Sequence, residues 1–207
     1  MKLLNKIKNQ KGIGFLEMIA ALGVIVTGVI GGMTLTTYNL VSSSSSEDRL
    51  LAANLAREAV EVVRNKRDSN WLAEDEYDWY EGIIQNLDNN YRLTVSLDPA
   101  DNSWDFTDQT AAIAQCDDCR LYYHPGTGVF SHDPEDGQLT MFRRLVTLRQ
   151  ICWEPEVNEE AILDEGDECS NYTNVEWVGW QAEVEVAWSG STGEHNMSVI
   201  DRLYDWK

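Results

Sequence analysis

Residues 13–41 read IGFLEMIAALGVIVTGVIGGMTLTTYNLV, and Glu17 and Tyr38 are the only ionisable side chains among them. As a helix rising ~1.5 Å per residue, these 29 residues extend about 43 Å. A hydrocarbon core of ~30 Å is therefore within reach. Before this run lie Lys2, Lys6, Lys8 and Lys11 and no acid, so the positive-inside bias holds the leader in the cytoplasm and places everything after Val41 outside. A conventional secretory signal has a shorter apolar run and an Ala-x-Ala-like site after it, and neither feature is present. A buried core helix would explain neither the length nor the leader. A plain single-pass anchor explains the length but not Glu17, because an unpaired carboxylate in lipid costs several kcal/mol and implies a partner.

Outward from this segment the composition changes. The 207 residues allow one domain of ordinary size plus an appended segment. Apolar residues make up 43%, with eight Trp, enough for a hydrophobic core. The formal charge is −19, and without the first twelve residues it becomes 12 basic against 35 acidic, a net of −23. Such a charge repels nucleic-acid phosphates and anionic head groups. Nucleic-acid binding by the head is disfavoured, with a local basic patch around Arg143, Arg144 and Arg149 left as an open alternative. Otherwise the acidity reads as a solvated surface.

The run Lys11-Gly12-Ile13-Gly14-Phe15-Leu16-Glu17 resembles the type III signal of type IV prepilins and pseudopilins. That pattern has a basic leader, a Gly before the scissile bond and a Glu at the fifth mature position. A cut after Gly12 makes Ile13 the new N-terminus, where the family most often has Phe, and puts Glu17 fifth. A cut after Gly14 would bring Phe15 to the front but leave Glu17 third, so Gly12–Ile13 is the preferred processing site. The resemblance implies cleavage by prepilin peptidase and N-methylation of Ile13. It also implies assembly in which Glu17 neutralises the amine of an adjacent subunit. Two buried charges that pair only on assembly would set axial register, since mismatched stacking leaves each uncompensated. The implied partners are other pilin or pseudopilin subunits, the peptidase and the inner-membrane assembly platform.

Helical character continues beyond the membrane. Leu51, Leu55, Ala59, Val62 and Val63 recur at three- and four-residue spacing, and the turn-forming Asp68-Ser69-Asn70 predicts the end. Gly28, Gly31, Gly32 and Ser42–Ser46 are poor helix-interior residues. Gly28–Gly32 is either a segment that loosens on assembly or a surface for close helix packing, and the serine run is a candidate joint.

After Asn70 the period shifts. A short helix is expected around Glu76–Leu87, then strands at Tyr91–Leu97, Arg120–His124, Val129–His132 and Phe142–Trp153. From Val178 to Trp188 the even-numbered residues are apolar and the odd-numbered ones include Gln181, Glu183 and Glu185, the period of a strand with one buried face. Ser189–Glu194 reads as a turn and Asn196–Tyr204 as the last strand. The expected fold is α+β: a long helix packed at its outer half on an antiparallel head. Its parts are a leader (1–12), a transmembrane assembly helix (13–41), the outer half-helix (42–70) and the head (71–207). The segments RRLVTL, AEVEVAWSG and HNMSVIDRLYDW resemble more loosely the C-terminal half of minor pilins and pseudopilins.

Cys116, Cys119, Cys152 and Cys169 permit three pairings, and outside the cytoplasm they should oxidise. Spacing favours Cys116–Cys119 with Cys152–Cys169. A Cys-x-x-Cys can also be redox-active or half a zinc site, but no βαβ context and no second tight cysteine pair accompany it. The clusters Asp98/Asp101/Asp105/Asp108, Asp133/Glu135/Asp136 and Glu165/Asp167/Glu168 read as solvated loops. None has EF-hand spacing, so calcium is the minor alternative and no cofactor is expected. His124, His132 and His195 have no nucleophile near in sequence, and no Gly-x-Ser-x-Gly, His-Glu-x-x-His or phosphate-cradling loop occurs. The sequence gives no support for an enzyme. The expected function is a minor pilin or pseudopilin of a type IV pilus or type II secretion-like filament. The rival is a membrane-anchored extracellular binding module or adhesin outside any filament.

Overall fold

The computed structural model describes residues 13–73, 78–84, 91–98, 103–135, 137–190 and 193–205. The basic leader, with Gly12, lies outside them. One helix, α1 (Ile13–Leu72), is followed by β1 (Arg92–Asp98), β2 (Ser103–Gln109), β3 (Arg120–His124), β4 (Val129–Ser131), β5 (Gln138–Glu154), β6 (Glu159–Ile162), a 3-10 turn at Cys169–Asn171, β7 (Glu176–Gly190) and β8 (Gly193–Tyr204). The fold is α+β, a long apolar N-terminal helix and an antiparallel sheet of eight strands. By internal contacts the chain divides after Ser46 into an N-terminal unit and a unit of residues 47–207. The backbone is helical through Gly28–Gly32 and through the serine run, and α1 ends two residues beyond Asn70.

The 17-residue β5 organises the sheet of the second unit. On one side it pairs with β7 from Phe142↔Trp188 to Trp153↔Glu176, with a register shift between Ile151 and Cys152. Along the other side it meets β3, β1 and β6 in turn. Strand β7 then pairs with β8 without a shift, from Gly179↔Tyr204 to Gly190↔Gly193. A Cβ at Gly179 would collide with the carbonyl oxygen of Leu203, so only glycine allows β8 to approach there.

Period two decides which side chains enter the core. Trp180, Ala182, Val184, Val186 and Trp188 of β7 are buried, as are Phe142, Val146 and Leu148 of β5. They pack with Ala52, Leu55, Ala56, Ala59, Val60, Val62 and Val63, the three- and four-spaced stripe of the outer half of α1. On the other side of the sheet, Leu145 packs with Ile113, Cys116 and Cys119 in a small second cluster.

Three expectations need correction. Within Glu76–Leu87 the described residues 78–84 form turns rather than a helix. Their amides bond three residues back, Glu81 to Asp78 (2.9 Å) and Ile83 to Tyr80 (3.1 Å), and Gly82 has φ of 73°, which stops helical propagation. Asp105 and Asp108, expected in a solvated loop, lie on β2, whose register with β1 is unbroken. Strands β7 and β8 extend to Gly190 and Gly193, into the segment expected as a turn.

Candidate assembly segment and head

Ile13 opens α1, and Glu17 lies one turn further on, exposed. The first unit presents large apolar side chains: Phe15, Leu16, Ile25, Ile30 and Met33 are all more than half exposed among the described residues. The four threonines among them are satisfied within the helix. The hydroxyls of Thr27, Thr34, Thr36 and Thr37 donate to the carbonyls of Gly23, Ile30, Gly32 and Met33 at 2.8–3.0 Å. In an apolar medium this removes the cost of an unmet donor. The helix is long and apolar enough to cross a membrane.

The two faces of this segment differ. At about 100° per residue, Gly14, Glu17, Ala21, Gly28 and Gly32 fall within about 60° of one another, with Leu35 among them, and Phe15, Leu22, Val26, Met33 and Leu40 lie about 120° around the helix. A Cβ built on Gly14, Gly28, Gly31 or Gly32 would meet nothing within 4 Å. Among the described residues nothing lies over these glycines, and the one acid on their face is Glu17. Close backbone approach between apolar helices uses such a face.

In the second unit a buried cation joins helix to sheet. Arg144 is completely buried. Its Nη1 donates to Glu58 Oε1 at 3.0 Å and to the Leu55 carbonyl at 3.2 Å, and its Nη2 donates to the Val95 carbonyl at 2.6 Å. One side chain thus ties α1, β5 and β1. Burial lowers its pKa, while Glu58 acts in the opposite direction. The sequence reading placed Arg144 with Arg143 and Arg149 in a possible basic patch, and the structure overturns that. Arg149 pairs with Glu183 at 2.6 Å, and Arg143 donates to the Ala114 carbonyl at 2.9 Å. Strand phase carried the missed signal: Arg144 falls in step with Phe142, Val146 and Leu148, all of them buried.

All four cysteines are joined, Cys116 to Cys119 and Cys152 to Cys169, the pairs that spacing favoured. The first lies in the small cluster over Leu145. The second holds the end of β5 to the 3-10 turn, where buried Gln150 accepts the Cys169 amide at 2.8 Å.

The histidines are used locally. His124 Nε2 lies 2.8 Å from Ser131 Oγ, a contact that the sequence reading missed. Ser131 is buried and its oxygen also accepts the Asp133 amide at 3.1 Å, so this pair secures the turn after β4. His132 Nδ1 donates to the Arg120 carbonyl at 3.1 Å. Burial, and secondly the charge of Arg144, lower the His132 pKa to about 3. His195 stacks on Trp188 with ring centroids 5.4 Å apart. Among the described residues no three His, Cys, Asp or Glu side chains converge in a way that could hold a metal ion. The acidic clusters at Asp133/Glu135 and Glu165/Asp167/Glu168 are engaged in part: Arg92 pairs with Glu165 at 2.6 Å, and Tyr91 donates to Glu168 at 3.0 Å.

No family model, curated protein or solved structure matches the chain.

Proposed function

We propose that the chain is a filament subunit of the minor pilin or pseudopilin kind, cut after Gly12, held in the cytoplasmic membrane by residues 13–41 with its head outside, and polymerised through that helix. The observation that carries this reading is the face of α1 on which a single carboxylate, Glu17, stands among small residues that no other described residue covers. An acid so placed is costly in lipid unless a cation reaches it. The new amine at Ile13 of a neighbouring copy would supply that cation after processing, and neither charge would be compensated in a misregistered stack. Glu17 is then an assembly residue, Gly12 and Ile13 flank the processing site, and the partners are like subunits, prepilin peptidase and the inner-membrane assembly platform. The head has no catalytic part in this reading.

Intact-mass measurement after co-expression with prepilin peptidase tests the reading. The expected product lacks residues 1–12. A chain that keeps Met1 beside an active peptidase would overturn it in favour of a permanently anchored binding module. A second measurement addresses Glu17 alone. Glu17→Ala should still be processed, yet the fraction recovered in sedimentable filaments should fall at least tenfold. Wild-type polymerisation by that variant would refute the charge-pairing role.

A further inference from the structure

The side of the sheet bearing Leu145 carries a half-open cavity of about 670 Å³, with Arg120, Arg143 and Glu185 among its lining residues. Arg120 of β3 and Arg143 of β5 are direct cross-strand partners. Like charges so placed repel, and this happens on a chain with more than twice as many acidic as basic residues. The Arg120 pair with Asp117 is exposed and weak. Arg143 donates to the Ala114 carbonyl, and among the described residues no carboxylate lies within ion-pair distance of it.

Glu185 lies on the same face. Arg143 is registered opposite Ala187, so Glu185 is its diagonal neighbour. The two do not pair, and Glu185 only accepts from Asn196 Nδ2 at 3.2 Å. Ile113, Ala187 and the exposed Met141 supply apolar lining beside these charges, while Thr140, Asn196 and a second acid, Glu194, bonded to the Ser189 hydroxyl, complete the polar part. A cation pair, acids set apart from it and an apolar patch at Ile113, Ala187 and Met141 match a ligand that carries both charges itself. The net charge of −19 opposes a polyanion at long range, whereas a small zwitterion meets no such barrier.

We propose that this cavity binds a zwitterion of the α-amino-acid class with an apolar side chain. The ligand carboxylate lies between Arg120 and Arg143, where the planar guanidinium favours paired hydrogen bonds. The ammonium faces Glu185, and the side chain rests on Met141 and Ile113. The same chemistry could come from a free amino acid or from a dipeptide, whose two charges lie further apart.

The test is calorimetric titration of the full chain in detergent micelles with L-leucine, followed by leucinamide, N-acetyl-leucine and leucyl-leucine. Saturable L-leucine binding is expected, weakened at least tenfold when either the carboxylate or the ammonium is blocked. Arg143→Gln should weaken it to the same degree, and Glu185→Gln should restore the binding of N-acetyl-leucine relative to leucine. Tighter binding of leucyl-leucine would assign the site to a dipeptide. Absence of saturable binding by both leucine and leucyl-leucine up to about 10 mM, or equal binding of leucine and leucinamide, would overturn the proposal. The ligand series leaves the protein unaltered, so it decides even if a variant fails to fold.

Discussion

Residues 13–46 and residues 47–72 share one helical backbone, but they meet their surroundings differently. In the first, leucines and isoleucines stand exposed and hydroxyls turn back onto the helix that carries them. In the second, the apolar stripe from Ala52 to Val63 is buried to within a few per cent, and the fully buried Arg144 of β5 is met beside it by helix and sheet acceptors. Secondary structure alone therefore says little about what stabilises a segment. The outer half is held by side chains on the sheet, as most protein helices are. Among the described residues the inner half is exposed instead, and under the proposed function lipid and sister subunits cover it.

The contrast can be broken most severely at Arg144. Arg144→Ala would empty a fully buried site and remove the bonds to Glu58 and to the Leu55 and Val95 carbonyls, a loss of about 3–5 kcal/mol. Denaturant titration of the full chain in micelles should show it as a lower midpoint at similar slope. Leu55→Ala and Leu22→Ala sharpen the comparison directly. The first creates a core cavity and should cost roughly 2–5 kcal/mol, and the second should leave unfolding of the head unchanged. A comparable effect from both would mean that residues 13–46 are part of the same cooperative unit.

The Cys152–Cys169 bond comes next. It closes a loop with a sequence separation of 17, and Cys152→Ser with Cys169→Ser should lower stability by about 3 kcal/mol on the chain-entropy account. The tighter Cys116–Cys119 loop should matter less by the same argument.

The smallest effect per step is a dependence on pH. His132 has a folded pKa of about 3, against ~6.5 for an unfolded imidazole. Below pH 6.5 the unfolded chain takes up this proton first, so its contribution to stability is complete above that value. It is lost as pH falls towards 3, by at most about 1.4 kcal/mol per unit. His132→Gln should flatten the stability profile over that window, and an unchanged slope would mean that the imidazole is not held neutral.

The sequence made legible those elements whose environment is uniform along their length. The apolar run at 13–41 and the alternation at Val178–Trp188 needed only periodicity. Strand β2 escaped because it reads SWDFTDQ, with Phe106 its single buried residue. β6 escaped because all four of its residues are exposed. Neither leaves an alternating apolar trace, since each lies at the margin of the sheet. Arg144 was misread because a charge suggests solvent, although its phase said core. The candidate assembly face was visible in part: Glu17 stood out, but the shared azimuth of Glu17, Gly28 and Gly32 follows only once the backbone is helical throughout. The cavity charges were out of reach, because Arg120, Arg143 and Glu185 are brought together by register.

Every tryptophan of the chain lies at Trp71 or later, and residues 13–46 hold only Phe15 and Tyr38 as aromatics. Several of these indoles are close neighbours, with Trp79 and Trp180 each 5.2 Å from Trp177 between ring centroids. Light absorbed at the red edge of the protein band is thus taken up by the head alone. Native emission becomes a label-free monitor of head integrity in micelles or vesicles, blind to residues 13–46.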